Sequence, residues 1–247
     1  MSTRVSSHHN RVVIIEDHAL FAESLEFTLA REGYDVRRIE LPDEGGSLAS
    51  LRSAAQRLRP RVVLLDLDLG RFGDGLALIS PLAQSGTNVV VVTASIDRGR
   101  WGACVRAGAR KVLPKTRPLQ ETLSTVRRLM QGLPVMSNEE LESLLEAWRV
   151  ERADSEEMNT RLARLTPREK EVLSRLIGGL TVREIARDTV VSEDTVRTQV
   201  KSILAKLEVS SQLAAVGMAN HVGWRPTVPV ATTRMRHALY EDDTRRP

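Results

Sequence analysis

The chain has a single cysteine, Cys104, in 247 residues, which excludes an internal disulfide framework; it also lacks clustered partner ligands for a zinc site. The expected role of Cys104 is therefore that of a small buried apolar residue. Aromatic residues make up only 3% of the chain, so its cores must be aliphatic, and 41% hydrophobic content is enough to build them. No apolar run exceeds four residues, far short of the roughly 20 needed to span a bilayer. The opening MSTRVSSHHN has no apolar centre of the export-signal kind, so the reading is a cytoplasmic chain without membrane insertion. A large field of one charge is missing as well. Residues 1–130 carry 19 basic and 14 acidic residues, 131–164 carry 4 and 8, and 165–222 carry 8 and 7. Nucleic acid, if bound, would be held by a few placed side chains rather than by bulk attraction.

What is present is organised as two modules, which suits domains of about 100 to 150 residues each. In the first half, apolar strand-like runs at 11–16, 35–39, 61–66, 88–93 and 110–114 alternate with helical-period stretches at 19–31, 47–58, 75–84, 98–107 and 118–130. Five βα units predict an α/β, doubly wound, five-stranded parallel sheet. The second strand, DVRRI, is poorly apolar and belongs at an edge.

The run VVLLDLDLG, residues 62–70, passes abruptly from four buried-type residues to Asp66 and Asp68. Parallel strands share a direction, and ligands of such sheets sit at their carboxyl ends. Strand one ends in Glu16 and Asp17, strand three in Asp66, strand four in Thr93, and Lys115 follows strand five. Three carboxylates gathered on one rim repel one another unless a cation joins them. Mg²⁺, a hard ion with an octahedral preference for oxygen, fits such a partial cage, with waters and a phosphoryl group completing it. A hydroxyl and an ammonium beside it would meet the remaining phosphoryl oxygens. Each of these residues alone has a plainer use as a turn former or helix cap; their convergence on matching strand ends is what points to function. Asp66 directly terminates the apolar run and is therefore preferred over Asp68 as the phosphate acceptor.

The stretches VVIIEDHALFAESL, VVLLDLDLG, VVVVTAS and GARKVLPK resemble the receiver domain of bacterial two-component response regulators, over roughly residues 11–130. The resemblance implies a flavodoxin-like receiver that is not an enzyme and that takes a phosphoryl group from a sensor histidine kinase. Carried over, Glu16 and Asp17 form the acidic pair that holds Mg²⁺ together with Asp66. Asp66 is the phosphorylated residue, Thr93 the switch hydroxyl and Lys115 the phosphate-contacting lysine. Three departures stand out. Gly70 replaces a usual proline, with Asp74-Gly75 arriving one residue late, so an altered loop is expected. Val112 stands where an aromatic switch residue is common, and Pro114 directly precedes Lys115.

Residues 131–164 read as a partly helical acidic linker with Leu141, Leu144, Leu145 and Trp148 on one face, able to pack on either module. TPRE at 166–169 and TVRE at 181–184 have the capping-box form, and Ser192 caps a third helix. Over 165–222 this is the grammar of an all-α helix-turn-helix domain. In the third helix, about 193–207, Val196, Val200, Ile203 and Leu207 fall within about 60° of arc, leaving Asp194, Arg197, Thr198, Lys201 and Ala205 opposite. That second face suits either solvent or a DNA major groove.

The stretch LTPREKEVLSRLIGGLTVREIARDTVVSEDTVRTQVKSILAKLEVSSQLAAV is similar to the LuxR-type helix-turn-helix that ends NarL/FixJ response regulators. The similarity implies double-stranded DNA as partner, with Arg197, Thr198 and Lys201 at base edges or phosphates. Gln199 takes a position often held by histidine. It also implies a homodimer on activation, paired through Leu213, Ala214, Val216 and Gly217 of the last helix, residues that intradomain packing could also claim. Residues 1–10 and 223–247 read as mobile ends, the latter with room for one helical turn.

The expected protein is a phosphorylation-dependent DNA-binding transcriptional regulator. An alternative keeps the DNA role but makes the receiver a phosphate-independent dimerisation module. A rival class starts from the D-x-D of LLDLDLG, as in haloacid-dehalogenase-like phosphohydrolases. There the motif opens the first strand, while here it ends the third and leaves Glu16-Asp17 without a task.

Overall fold

The computed structural model describes residues 10–42 and 45–225. The expectations for the extreme N-terminus and for a helical turn beyond residue 225 lie outside the described residues. Two compact units divide between Arg152 and Ala153.

The first unit begins with five βα units: β1 Arg11–Ile15, α1 Ala19–Arg31, β2 Asp35–Arg38, α2 Leu48–Leu58, β3 Val62–Leu65, α3 Leu76–Gln84, β4 Asn88–Thr93, α4 Arg98–Arg106, β5 Ala109–Pro114 and α5 Leu119–Met130. All strand pairs are parallel, in the order β2-β1-β3-β4-β5. The central strands are Val, Ile and Leu because helices cover both faces of the sheet and leave no wet side for alternation. One core joins the sheet to α2, α3 and α4; the other joins it to α1 and α5. The poorly apolar β2 lies at an edge, as its composition predicts. Cys104 is fully buried in the first core, where burial pushes its thiol up to about 12.

Helix α6, Asn138–Ala163, begins in this unit. Up to Arg152 its residues lie against α4 and β5. Leu144 is buried, Lys111 Nζ lies 2.7 Å from both Glu140 carboxylate oxygens, and Arg98 Nη2 donates to Ser143 Oγ at 3.0 Å. The Arg106 guanidinium stands 4.7 Å from the Trp148 ring centroid.

The second unit contains the end of α6 with α7 Pro167–Ile177, α8 Val182–Asp188, α9 Glu193–Leu207 and α10 Gln212–His221. Both predicted capping boxes are present: Thr166 with Glu169, and Thr181 with Glu184. Ser192 Oγ accepts the Thr195 N–H at 3.1 Å and starts α9. Leu162, Val172, Leu173, Ile185 and the apolar face of α9 form its core. Glu169 does more than cap. Its other contacts are Ser202 and Lys206 of α9, both at 2.7 Å, so one buried carboxylate ties α7 to α9 and is held well below its usual range, at about 2. Burial alone would raise it; the hydrogen bonds win. Among the described residues no helix is long and apolar enough to cross a membrane.

Candidate functional site

Strand register builds the first site. Ile15 pairs with Leu65, so β1 and β3 end side by side and deliver Glu16 and Asp66 to one rim. This is where the strand order reverses, β1 standing between β2 and β3, the crevice where open α/β sheets bind ligands. Glu16, Asp17, His18 and Asp66 each bring a donor atom within 4.8 Å of the others. Glu16 and Asp66 are buried, at 6% and 2% exposure, while Asp17 and His18 face solvent.

Lys115 closes the group. Its Nζ lies 2.7 Å from Glu16 Oε1 and 2.7 Å from Asp66 Oδ2, over the Phe21 ring. Burial pushes the Glu16 carboxyl up, with Lys115 offsetting part of the effect. Burial opposes the charged form of Lys115, but the hydrogen bonds to Asp66 and Glu16 outweigh it and raise the ammonium overall. The Pro114 neighbour does not displace the lysine: Pro114 pairs with Thr93 in the sheet, and the Lys115 N–H donates to the Thr93 carbonyl at 2.7 Å. Thr93 is itself buried on the same rim, its Oγ1 accepting the Ser95 N–H at 3.1 Å.

Asp66 Oδ1 is buried and has no hydrogen-bond partner among the described residues. An orphaned carboxylate oxygen in an acidic crevice is costly unless a cation or donor group joins it. The donor set of three carboxylates is hard oxygen, so the cluster can hold a metal ion of the hard divalent class.

Asp68 stands apart. It is exposed, pairs through its backbone with Asp74, and accepts the Gly70 N–H at 3.1 Å, which makes it a loop former. The departures at Gly70 and Asp74-Gly75 shape this loop: Gly70 has φ +55° and opens a short 3-10 turn, Gly70–Phe72. Val112 is a core residue on β5, and no aromatic takes its place there.

Two members of the site escaped sequence reasoning. His18 Nδ1 lies 2.7 Å from Asp17 Oδ1 and 3.1 Å from Glu16 Oε1; Lys115 depresses its imidazole, but the two carboxylates outweigh that and raise it. Position 18, directly after the acidic pair, was the available signal. Gly75 is the other. A methyl built on it would lie 2.2 Å from the Asp66 carbonyl oxygen, so only glycine lets the start of α3 approach the end of β3. The Asp-Gly pair at 74–75 was the sign of it.

In the second unit, Val196, Val200, Ile203 and Leu207 of α9 are buried, and Asp194, Arg197, Thr198, Lys201 and Ala205 are exposed. Arg197 Nη2 pairs with Glu193 Oε2 at 3.1 Å, and Thr198 Oγ1 donates to the Asp194 carbonyl at 2.9 Å. On α10, Ala215 and Ala219 lie in the core, and Val216 and Met218 pack against it. Leu213, Ala214 and Gly217 are exposed, and Val216 is half-buried.

Residues 12–127 match the family described as the response regulator receiver domain, and residues 163–219 match the bacterial regulatory proteins of the luxR family. The nitrate/nitrite response regulator protein NarP of Escherichia coli is 30% identical, covering 83% of this chain and 92% of its own. The transcriptional regulatory protein LiaR of Bacillus subtilis is 29% identical over 86% of this chain and 98% of its own. DesR, also of Bacillus subtilis, is 28% identical over 68% and 77%. With the acidic crevice in one unit and the helix-turn-helix in the other, the chain belongs to the NarL/FixJ-type response regulators, transcriptional regulators of two-component systems with a receiver and a LuxR-type DNA-binding domain.

Proposed function

We propose that Asp66 is the phosphate acceptor and that its phosphorylation by a sensor histidine kinase controls DNA binding by α9. The observation that carries this reading is the Asp66 carboxylate itself: one oxygen is paired with Lys115, and the other is buried without a partner among the described residues. Glu16, Asp17 and Asp66 are the residues that would hold Mg²⁺, which, when bound, supplies charge neutralisation for an incoming phosphoryl group.

An Asp66 carboxylate oxygen attacks phosphorus, forming an acyl phosphate as the bond from phosphorus to the donor imidazole nitrogen breaks; the electron pair and a proton stay with the departing imidazole. Lys115, already at hydrogen-bond distance from Asp66, donates to a phosphoryl oxygen. Thr93 turns its hydroxyl toward another. The modification replaces the single charge of the carboxylate by a phosphoryl group carrying roughly −1.5 to −2, a net gain of about one negative charge or less at a buried rim, and shifts the receiver toward a state that favours pairing of two chains. Two weak DNA heads then gain effective concentration on half-sites about one helical turn apart. Arg197, Thr198 and Lys201 read the duplex, and Leu213, Ala214, Val216 and Gly217 form the contact between DNA-bound copies. The chain would act in the cytoplasm and catalyse no turnover.

The test is phosphoryl uptake from acetyl phosphate with Mg²⁺. Asp66→Asn is expected to abolish labelling while Asp68→Asn retains it; labelling of Asp66→Asn overturns the assignment.

A further inference from the structure

We propose that Gly99 and Gly102 are positioning residues that seat α6 on α4 in the unphosphorylated receiver, and that phosphorylation releases this seat. The proposal rests on Asp66 being the acceptor.

Helix α4 carries glycines at two of its nine positions, three residues apart and therefore on one face. Glycine is the poorest helix former after proline, so their reason lies in packing. A methyl built on Gly102 would lie 2.0 Å from the Leu144 carbonyl oxygen and 2.7 Å from Trp148 Cβ. One built on Gly99 would lie 2.8 Å from Glu151 Cβ and 3.4 Å from the Ala147 carbonyl oxygen. Every one of these atoms belongs to α6. The two backbones meet without a side-chain cushion, and the surrounding contacts are polar or cationic: Lys111 with Glu140, Arg98 with Ser143, Arg106 over Trp148. Leu144 is the one α6 residue of this unit in the buried apolar set among the described residues. A dry core would hold the helix permanently; this seat has one fully buried apolar residue, with Leu141, Leu145 and Trp148 only half-buried beside it.

Two hydrogen-bonded routes reach α4 from the phosphoryl crevice. Thr93 Oγ1 accepts the Ser95 N–H, and the Ser95 carbonyl accepts the Trp101 indole N–H at 3.0 Å, from a residue between the two glycines. On the other side Arg100 pairs with Asp74 at 3.0 Å, and the next residue, Gly75, donates its N–H at 2.8 Å to the carbonyl of Leu67, directly after Asp66. A phosphoryl group that recruits the Thr93 hydroxyl moves the 93–97 segment, and Trp101 carries that movement into α4. Contacts this close tolerate only fractions of an ångström before they clash or open. A small shift therefore becomes a two-state change in α6, whose residues beyond Arg152 belong to the DNA-binding unit.

The experiment is hydrogen exchange of the α6 amides 144–152 in the full chain, with and without beryllofluoride and Mg²⁺. It is paired with DNA-binding titrations and acetyl phosphate labelling. The expected wild-type result is exchange about tenfold faster with beryllofluoride. Gly102→Ala, which favours α4 itself and clashes only with α6, is expected to exchange fast without beryllofluoride. It should also bind DNA independently of it while still labelling at Asp66. Glu140→Gln, which leaves the α4 backbone untouched, should shift both readouts the same way by less. Wild-type protein that labels and gains DNA affinity with unchanged α6 exchange overturns the relay, as does a Gly102→Ala chain that keeps the full beryllofluoride response. Wild-type protein that does not label overturns the acceptor assignment and the relay with it.

Discussion

The Lys115 ammonium and the Asp66 carboxylate lie 2.7 Å apart, so the position a phosphoryl group would enter is guarded by the lysine that would later bind it. Lys115 also neutralises Glu16, and both acids are almost fully buried. Replacing Lys115 by Met leaves two buried carboxylates without their ammonium partner, and the expected loss is about 3 to 5 kcal/mol. A divalent ion supplies the missing charge, so Mg²⁺ should raise the melting temperature of Lys115→Met more than that of the wild type. Thermal melts with Mg²⁺ or EDTA check this; an equal rise in both proteins refutes it.

The Glu169 bridge gives the DNA-binding unit an acid-sensitive joint. Its folded-state value of about 2 lies below the ordinary 4.5, so protons bind the unfolded chain first. The stabilisation, on the order of 3 kcal/mol, is complete above about pH 4.5 and drains away as pH falls toward 2. Glu169→Gln should be less stable at pH 7 and lose less between pH 5 and 3. Urea unfolding followed by circular dichroism at stepped pH is the measurement, and parallel pH profiles for the two proteins would count against the bridge.

Val190 adopts φ +53° in the turn between α8 and α9 and is 90% exposed. A β-branched residue strains in the left-handed region, and here no packing offsets the strain. Val190→Asn is expected to stabilise the chain by about 1 kcal/mol, seen as a higher urea midpoint with an unchanged slope. A lower midpoint would contradict the strain.

Arg197 and Lys201 are one helical turn apart on the exposed face of α9. Arg197→Ala should cost about 1 to 3 kcal/mol of specific binding and relax sequence preference, after Arg197 has left its Glu193 partner in the wild-type complex. Lys201→Ala, if the lysine meets phosphate, should weaken all sequences alike and lower the salt slope by about 1. Fluorescence anisotropy over a salt series separates the two. Unchanged affinity in both would remove α9 from the groove.

Gly75→Ala drives a methyl to 2.2 Å from the Asp66 carbonyl oxygen. The chain should lose about 2 kcal/mol and take up phosphate more slowly, because the end of β3 must move. Uptake rate against acetyl phosphate, with stability measured alongside, tests both halves.

The crevice was legible because strand ends are. Val62 to Leu65 announce a buried strand and Asp66 its exit, and parallel direction does the rest. The α9 face was equally readable, since a 3.6-residue period sorts Val196 and Ile203 from Arg197 and Lys201 without reference to any other element. What could not be read were approaches between elements remote in the chain. Nothing local to Gly102 names Leu144 as its neighbour, and the apolar face of α6 was compatible with either module until α4 presented its glycines. Val112 shows the converse: its identity was visible, but that it merely fills the core could be seen only once the first core was assembled.

The lone thiol of Cys104, sealed in that core and pushed up to about 12, is in effect chemically silent at neutral pH. For a labelling chemist the native chain is already a cysteine-free background. A cysteine installed at any exposed site, on α6 or on α9, would be the sole place a maleimide dye or spin label attaches, with no prior removal of Cys104.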